Sequence, residues 1–244
     1  MKGFLYIVFA WFLSLHFAQA QGAVYTLKGG LSLGMQKWDN QLGRRNPLTS
    51  YHIIAAIEEL PEDPRFTIFA QAGYHARGTS MRTTLFSTGG QRFDQDFAIR
   101  FNNLALSVGA KKKLNVMGNL TPYYLLGVRG EYTLKTNLAQ FQQYNTCYGI
   151  YPYDKKEFIK KFNYGAIFGG GFEFPFTDLL GGLIEFTVNP DFSRQYEQPA
   201  ITGIINTCGS VGNGPTSTPQ RSITNLTFEI SLGLRFLHKV EYID

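Results

Sequence analysis

The sequence predicts an all-β fold, an eight-stranded antiparallel up-and-down transmembrane β-barrel with short turns at one end and long loops at the other. Three observations predict it. Residues 224–236 alternate without a break: Leu226, Phe228, Ile230, Leu232, Leu234 and Phe236 lie on one face, and Asn225, Thr227, Glu229, Ser231, Gly233 and Arg235 on the other. Residues two apart share a face of a strand, so one face is apolar and the other polar. Seven further stretches alternate in the same way, and the connections are long after strands one, three, five and seven and short after two, four and six. The third observation is charge of both signs on the faces opposite the apolar ones. A soluble barrel keeps its apolar side chains inside, whereas a barrel in a bilayer turns them out to lipid and keeps a polar lumen.

Composition agrees with this reading. The chain has 244 residues, 26 of them Gly, with 15% aromatic and 17% charged residues. That charged share is below the roughly one quarter usual in soluble domains. Mean hydropathy is only −0.13, as expected when alternate residues alone face lipid. The net charge of +5 comes with no basic run interleaved with aromatics, so a nucleic-acid partner is not expected. A basic exterior suits an anionic membrane surface better.

In chain order, residues 1–20 read as a cleaved signal peptide, with Lys2 as the positive start, residues 4–17 apolar, and Ala18-Gln19-Ala20 as the cleavage site. The barrel is then expected over residues 21–244. No later apolar run approaches the ~20 residues a spanning helix needs. The first strand is expected at 24–38, with Leu27, Leu31, Leu33 and Met35 facing out and Lys28, Ser32 and Gln36 facing in. After a polar loop, the second runs 49–60, with Tyr51, Ile53, Ala55 and Ile57 outward, and it stops at the double-proline turn 61–64. The third, 65–76, sets Phe66, Ile68, Ala70, Ala72 and Tyr74 against Thr67, Phe69, Gln71, Gly73 and His75. A long loop over 77–95 follows.

The fourth strand, 96–111, changes phase: Phe97, Ile99 and Phe101 share one parity, Leu104, Leu106 and Val108 the other. A bulge near Asn102-Asn103 accounts for this, because one extra residue swaps the faces. The fifth, 120–135, turns Tyr124, Leu126, Val128, Tyr132 and Leu134 outward and Arg129, Glu131 and Thr133 inward. The longest loop, 136–160, carries Cys147. The sixth strand, 161–176, opposes Phe162, Tyr164, Phe168 and Phe172 to Asn163, Gly165 and Glu173. The seventh, 182–197, opposes Ile184, Phe186, Val188 and Phe192 to Glu185, Thr187, Asn189 and Asp191. The loop 198–220 carries Cys208, and the strand 221–237 closes the ring. Aromatics near the strand ends, among them Tyr25, Trp38, Tyr51, Tyr74, Tyr124, Tyr132, Phe162, Tyr164 and Phe192, are expected to form two interfacial girdles.

Export, eight strands, loop parity and a polar lumen make the chain resemble the small outer-membrane β-barrels of Gram-negative bacteria. It is similar to the transmembrane domain of outer-membrane protein A and to the porin-family small barrels of Bacteroidetes. The likeness covers residues 24–236 and is carried by pattern rather than by a motif. It implies a multi-pass barrel in the outer membrane that contacts outer-membrane lipid and lipopolysaccharide. It permits, without singling out, an envelope protein partner or a part in secretion or envelope assembly. The final strand resembles the recognition strand of such proteins but continues through 238–244, and no peptidoglycan-binding domain is expected after it.

An eight-stranded lumen is just wide enough for side chains, so its charges must pair. Lys28, Arg129, Glu131, Glu173, Glu185, Glu229 and Arg235 are the expected network, with Glu229 and Arg235 reaching toward Lys28 on the neighbouring first strand. Cys147 and Cys208 both fall in outer loops of an exported chain and suggest a disulfide; the alternative is two thiols too far apart to meet. Arg77, Arg82, Arg92, Lys155 and Lys156 form an expected basic outer-loop surface for anionic sugar phosphates, with ordinary solvation as the alternative. No metal spacing is present among the histidines, and no cofactor is expected. The expected function is a non-enzymatic binding component of the envelope with a plugged lumen. Two alternatives stand beside it: a narrow pore, and a lipid A-modifying enzyme using His75 with Ser193 or Ser80 at the outer rim.

Overall fold

The computed structural model describes residues 22–40, 44–59, 65–88, 91–116, 118–145, 151–205 and 215–239. The expected signal peptide, Cys147, Cys208 and residues 240–244 lie outside these. The strands are β1 (Gly22–Trp38), β2 (Arg44–Glu59), β3 (Phe66–Thr88), β4 (Gln91–Lys113), β5 (Thr121–Thr136), β6 (Phe162–Pro175), β7 (Leu180–Pro190), β8 (Tyr196–Gln198), β9 (Ile201–Ile205), β10 (Pro215–Thr218) and β11 (Arg221–Lys239). Each of β1 to β6 pairs antiparallel with the next, β7 pairs with β11, and β11 pairs with β1 from Gly22↔Lys239 to Trp38↔Ile223. The ring is therefore closed by eight long strands. Closure gives every backbone ladder a partner, which a strand in hydrocarbon requires because no water is there to substitute.

The faces sort as the alternation predicts. Leu31, Val128 and Leu232 are 57%, 69% and 64% exposed on the outer wall, while Ser32 and Thr227 are fully buried in the lumen. Large apolar side chains are exposed on every one of the eight long strands. A continuous apolar belt of this extent around a molecule is a lipid contact. No helix among the described residues is long and apolar enough to cross a membrane. The start of β1, the end of β11 and the connections after β2, β4 and β6 share one end, the periplasmic end. The connections after β1, β3, β5 and β7 share the other, the extracellular end.

Several features differ from the sequence expectation; the seventh strand, expected over 182–197, ends at Pro190, and Tyr196–Gln198 is a separate short strand. The third and fourth strands are longer than 65–76 and 96–111: β3 runs on to Thr88 and β4 begins at Gln91, so most of the expected loop 77–95 is a hairpin arm that continues the wall outward. The second strand likewise begins at Arg44 rather than at 49. The phase of β4 does not change. Phe97, Ile99, Phe101, Asn103, Ala105 and Ser107 are all buried on the inner face. The register does shift between Asn102 and Asn103, but the extra residue is Leu134 of β5. The apolar parity changes because the upper interior is itself apolar, not because the strand flips. Trp38 is correspondingly buried inside and belongs to no girdle.

The β2–β3 ladder breaks between Pro47↔Thr79 and His52↔His75, where β2 takes five steps against four on β3. Nearby, a Cβ on Gly34 of β1 would lie 2.6 Å from the Gly78 carbonyl oxygen of β3. The two backbones can meet there because Gly34 has no side chain.

Candidate functional site

The interior is filled from end to end in layers. Alternation supplies each strand's inward set, and the register stacks those sets at common heights. At the periplasmic end Lys111 of β4 pairs with Glu58 of β2 and, at 3.0 Å, with Glu173 of β6. Lys113 reaches Glu173 at 3.0 Å, and Arg235 of β11 reaches Glu173 at 2.9 Å and Glu58 at 3.7 Å. Lys111 also lies 4.3 Å from the centre of the Tyr123 ring, a favourable place for a cation. Next, Lys28 pairs with Glu185, which also accepts a 2.9 Å hydrogen bond from the Tyr123 hydroxyl. Phe69, Tyr123, Leu125 and Ile167 pack beside this pair as a small apolar cluster.

Midway up, the His52 and His75 rings stack with centroids 5.6 Å apart. His52 is hydrogen-bonded at 2.8 Å to Ser32 through one ring nitrogen and to Ser231 through the other. His75 meets Glu229 at 2.8 Å. Above them Arg77 faces Glu131 at 3.0 Å, Asp191 at 3.4 Å and Glu229 at 3.7 Å. Arg129 faces Glu131 at 2.8 Å and Asp191 at 2.5 Å. In the lumen Lys28, Arg77, Lys111, Lys113, Arg129 and Arg235 stand against Glu58, Glu131, Glu173, Glu185, Asp191 and Glu229, six of each sign. Among the described residues these lumen charges balance, so they compensate one another in the low-dielectric interior.

A layer of amides follows. Asn225 donates to Asp191 and Gln195, Gln195 donates to Asn103, and Gln36 donates to Asn225, at 2.6–3.0 Å. Over it lies an apolar cluster that closes the extracellular end. Trp38, Met81, Phe97, Ile99 and Phe101 come from the wall and Ile223 from the start of β11. Leu138 and Phe141 come from a short 3-10 helix, Leu138–Asn145, and Tyr151, Phe158 and Tyr196 from the folded-back outer connections. Phe141 stacks on Tyr151 at 5.2 Å, and Phe97 meets both rings edge-on. Arg221 donates to the Tyr151 carbonyl at 3.2 Å. Burial raises the Tyr196 hydroxyl above its ordinary pKa and lowers that of the Arg221 guanidinium. The described outer connections thus form a folded cap whose core is shared with the upper wall and seated on the polar filling.

The seven residues of the expected lumen network all lie inside, but not in the expected pairing. Glu229 turns to His75 and Arg77, and Arg235 to Glu173 and Glu58; Lys28 is taken by Glu185. Strand tilt carries an inward side chain across the lumen rather than sideways to its neighbour. Arg77 does not belong to an outer-loop surface: it is fully buried in the lumen. Strand β3 continues past Ala76, and the parity of Phe69, Gln71, Gly73 and His75 carries Arg77 inward with them. Arg82 is exposed on the hairpin arm in a two-bond pair with Asp96, at 2.9 Å each. That hydrogen bond to Arg82 holds the Asp96 carboxyl below its ordinary value. Arg92 lies in β4, and Lys155 and Lys156 are exposed on the cap.

His75 is not at the outer rim but buried in the lumen, committed to Glu229, while Ser193 is tied to Tyr164 and Asn163. Glu58, Lys111, Asp191 and the two histidines were missed as network members, although their parity matches neighbours assigned inward. Among the described residues no group of three or more His, Cys, Asp or Glu side chains is placed to hold a metal.

A family profile described as an outer membrane protein beta-barrel domain matches residues 17–194. No curated protein is similar in sequence. Among solved structures, the outer membrane protein OprG of Pseudomonas aeruginosa superposes with a TM-score of 0.52 at 10% identity, covering 89% of this chain and 99% of that one. Neisserial surface protein A gives 0.40 at 11% identity, covering 89% and 97%. The N-terminal barrel domain of Pseudomonas aeruginosa OprF gives 0.39 at 12% identity, covering 89% and 100%. The OprG likeness carries the fold alone.

Proposed function

The chain belongs to the outer membrane protein beta-barrel domain family, and from that premise we propose that it is a closed, non-conducting barrel whose folded outer cap binds another component of the envelope. The observation that supports this is the double seal. A balanced ionic filling occupies the lumen, and an apolar core in the outer connections lies over it. A pore needs a continuous wet path, and side chains already fill the bore of an eight-stranded barrel. A cap with a packed core costs chain entropy to order, and rigidity of that kind suits a recognition surface. The burial of His75 against Glu229 also argues against the lipid A-modifying alternative, because a base at that depth faces neither leaflet nor solvent.

Two measurements test the reading. Purified protein in planar bilayers is expected to pass no current, and stepwise conductance would sink the closed-barrel reading. Photo-crosslinkers at Lys155 and Lys156 in intact cells are expected to capture an envelope component that the same probe at lipid-facing Leu232 does not. Equal capture at cap and belt would sink the cap-binding reading.

A further inference from the structure

On the outer wall, just above the apolar belt, a recess of about 390 Å3 opens across β2, β3, β4 and the end of β5. Thr49 and Tyr51, Tyr74, Arg100 and Asn102, and Lys135 line it, contributed by those four strands in turn. The recess exists because the β2–β3 ladder is broken at this height, so that residues 48–51 have no ladder partner on β3. The Asn137 side chain accepts from the Arg100 backbone N–H at 2.8 Å and donates to the Ala98 carbonyl at 2.7 Å, holding the start of the 3-10 helix against the upper edge. Tyr51 and Tyr74 form its floor, with ring centroids 6.1 Å apart.

Arg100 and Lys135 are both exposed, and among the described residues neither side chain has an acidic partner. They differ in this from the six lumen cations and from Arg82, all of which are paired. Their height is informative. Asn102, Leu104 and Leu106 follow Arg100 down the same outer face, and Leu104 and Leu106 are 45% and 62% exposed. The cations therefore stand where hydrocarbon gives way to headgroups, and the tyrosines mark the same boundary. An unpaired guanidinium and ammonium beside tyrosine, asparagine and threonine polar groups is a donor set for a phosphate.

We infer that this recess binds the phosphate-bearing headgroup of an outer-leaflet lipid, with Arg100 and Lys135 holding the phosphate oxygens while the acyl chains run down the belt over Leu104 and Leu106. The assignment rests on the outer-membrane placement and not on the cap-binding reading, since the recess lies on the wall below the cap.

The test uses the folded full barrel in detergent with bis-phosphorylated lipid A as the probe, retention being read by native mass spectrometry. Arg100→Ala with Lys135→Ala is expected to weaken retention about tenfold or more, the scale of losing charge-assisted hydrogen bonds. The charge-keeping pair Arg100→Lys with Lys135→Arg is expected to retain most of it, and so is the control Lys112→Ala, which removes an exposed cation at the periplasmic end of β4. Heat-modifiable gel mobility establishes that each variant is folded. Retention by the Ala pair equal to that of the unaltered protein overturns the site, as does an equal loss in the Lys112→Ala control. Displacement of lipid A by millimolar inorganic phosphate would make free phosphate the ligand and would overturn the lipid assignment. Bilayer conductance is indifferent to all three variants, so failure here is separable from failure of the closed-barrel reading.

Discussion

Ile230 and Ser231 are adjacent in β11 and meet opposite solvents. Ile230 is 42% exposed in the apolar belt, and Ser231 is buried beside His52. Ile230→Arg is expected to cost about 2–4 kcal/mol near the bilayer middle and to impair assembly, read as the folded fraction after refolding into vesicles. Ser231→Ala loses one neutral hydrogen bond, about 1 kcal/mol, and assembles normally; equal tolerance at the two positions contradicts the orientation. Inside, Glu229 faces both His75 and Arg77. Glu229→Ala takes the acidic partner from His75, leaves the lumen one negative charge short, and is expected to destabilise the barrel by about 3–5 kcal/mol, seen as a lower denaturant midpoint. A midpoint equal to that of the unaltered protein would show that the interior rearranges freely.

At the scale of elements, the cap and the wall are two units that share one apolar cluster. Phe141 belongs to the cap core and touches Tyr151 and Phe97, but it lies outside the barrel ladder. Phe141→Ala is expected to cost about 3–5 kcal/mol of local packing. Limited proteolysis should then cleave the outer connections faster while the barrel keeps its heat-modifiable mobility. Loss of the barrel together with the cap would mean the two fold as one unit. β4 shows how one strand serves both units: its inner face is apolar at Phe97, Ile99 and Phe101, within the cap, and polar at Asn103 and Ser107, within the lumen. That switch is visible in the sequence as a change of apolar parity. It reads equally well as a bulge, because alternation reports which residues share a face and not what that face meets.

For the whole molecule, closure, strand count and the lipid-facing set were legible in the sequence. Each depends on a period of two, repeated eight times, and on which connections are long. The lumen partners were not legible. Inward parity marks Glu229, Arg235 and Lys28 for the interior, but the tilt and stagger of a closed barrel choose the partner, and that choice spans 157 positions in the case of Lys28 and Glu185. Arg77 illustrates the same limit at a boundary: with β3 ended at Ala76 it falls in a loop, and with β3 extended it becomes a fully buried ion at the centre of three carboxylates. The recess at Arg100 and Lys135 depends on a ladder break between two other strands and leaves no local trace.

By itself the sequence determined that the chain is a membrane barrel and which side of each strand faces lipid, because solvent sorting acts residue by residue along a strand. Only the tertiary structure decided which charges neutralise one another, that outer connections pack over the lumen, and that Arg100 and Lys135 border one recess of the wall. Those outcomes depend on distances between strands remote in the chain, set by the closed ring rather than by any local pattern.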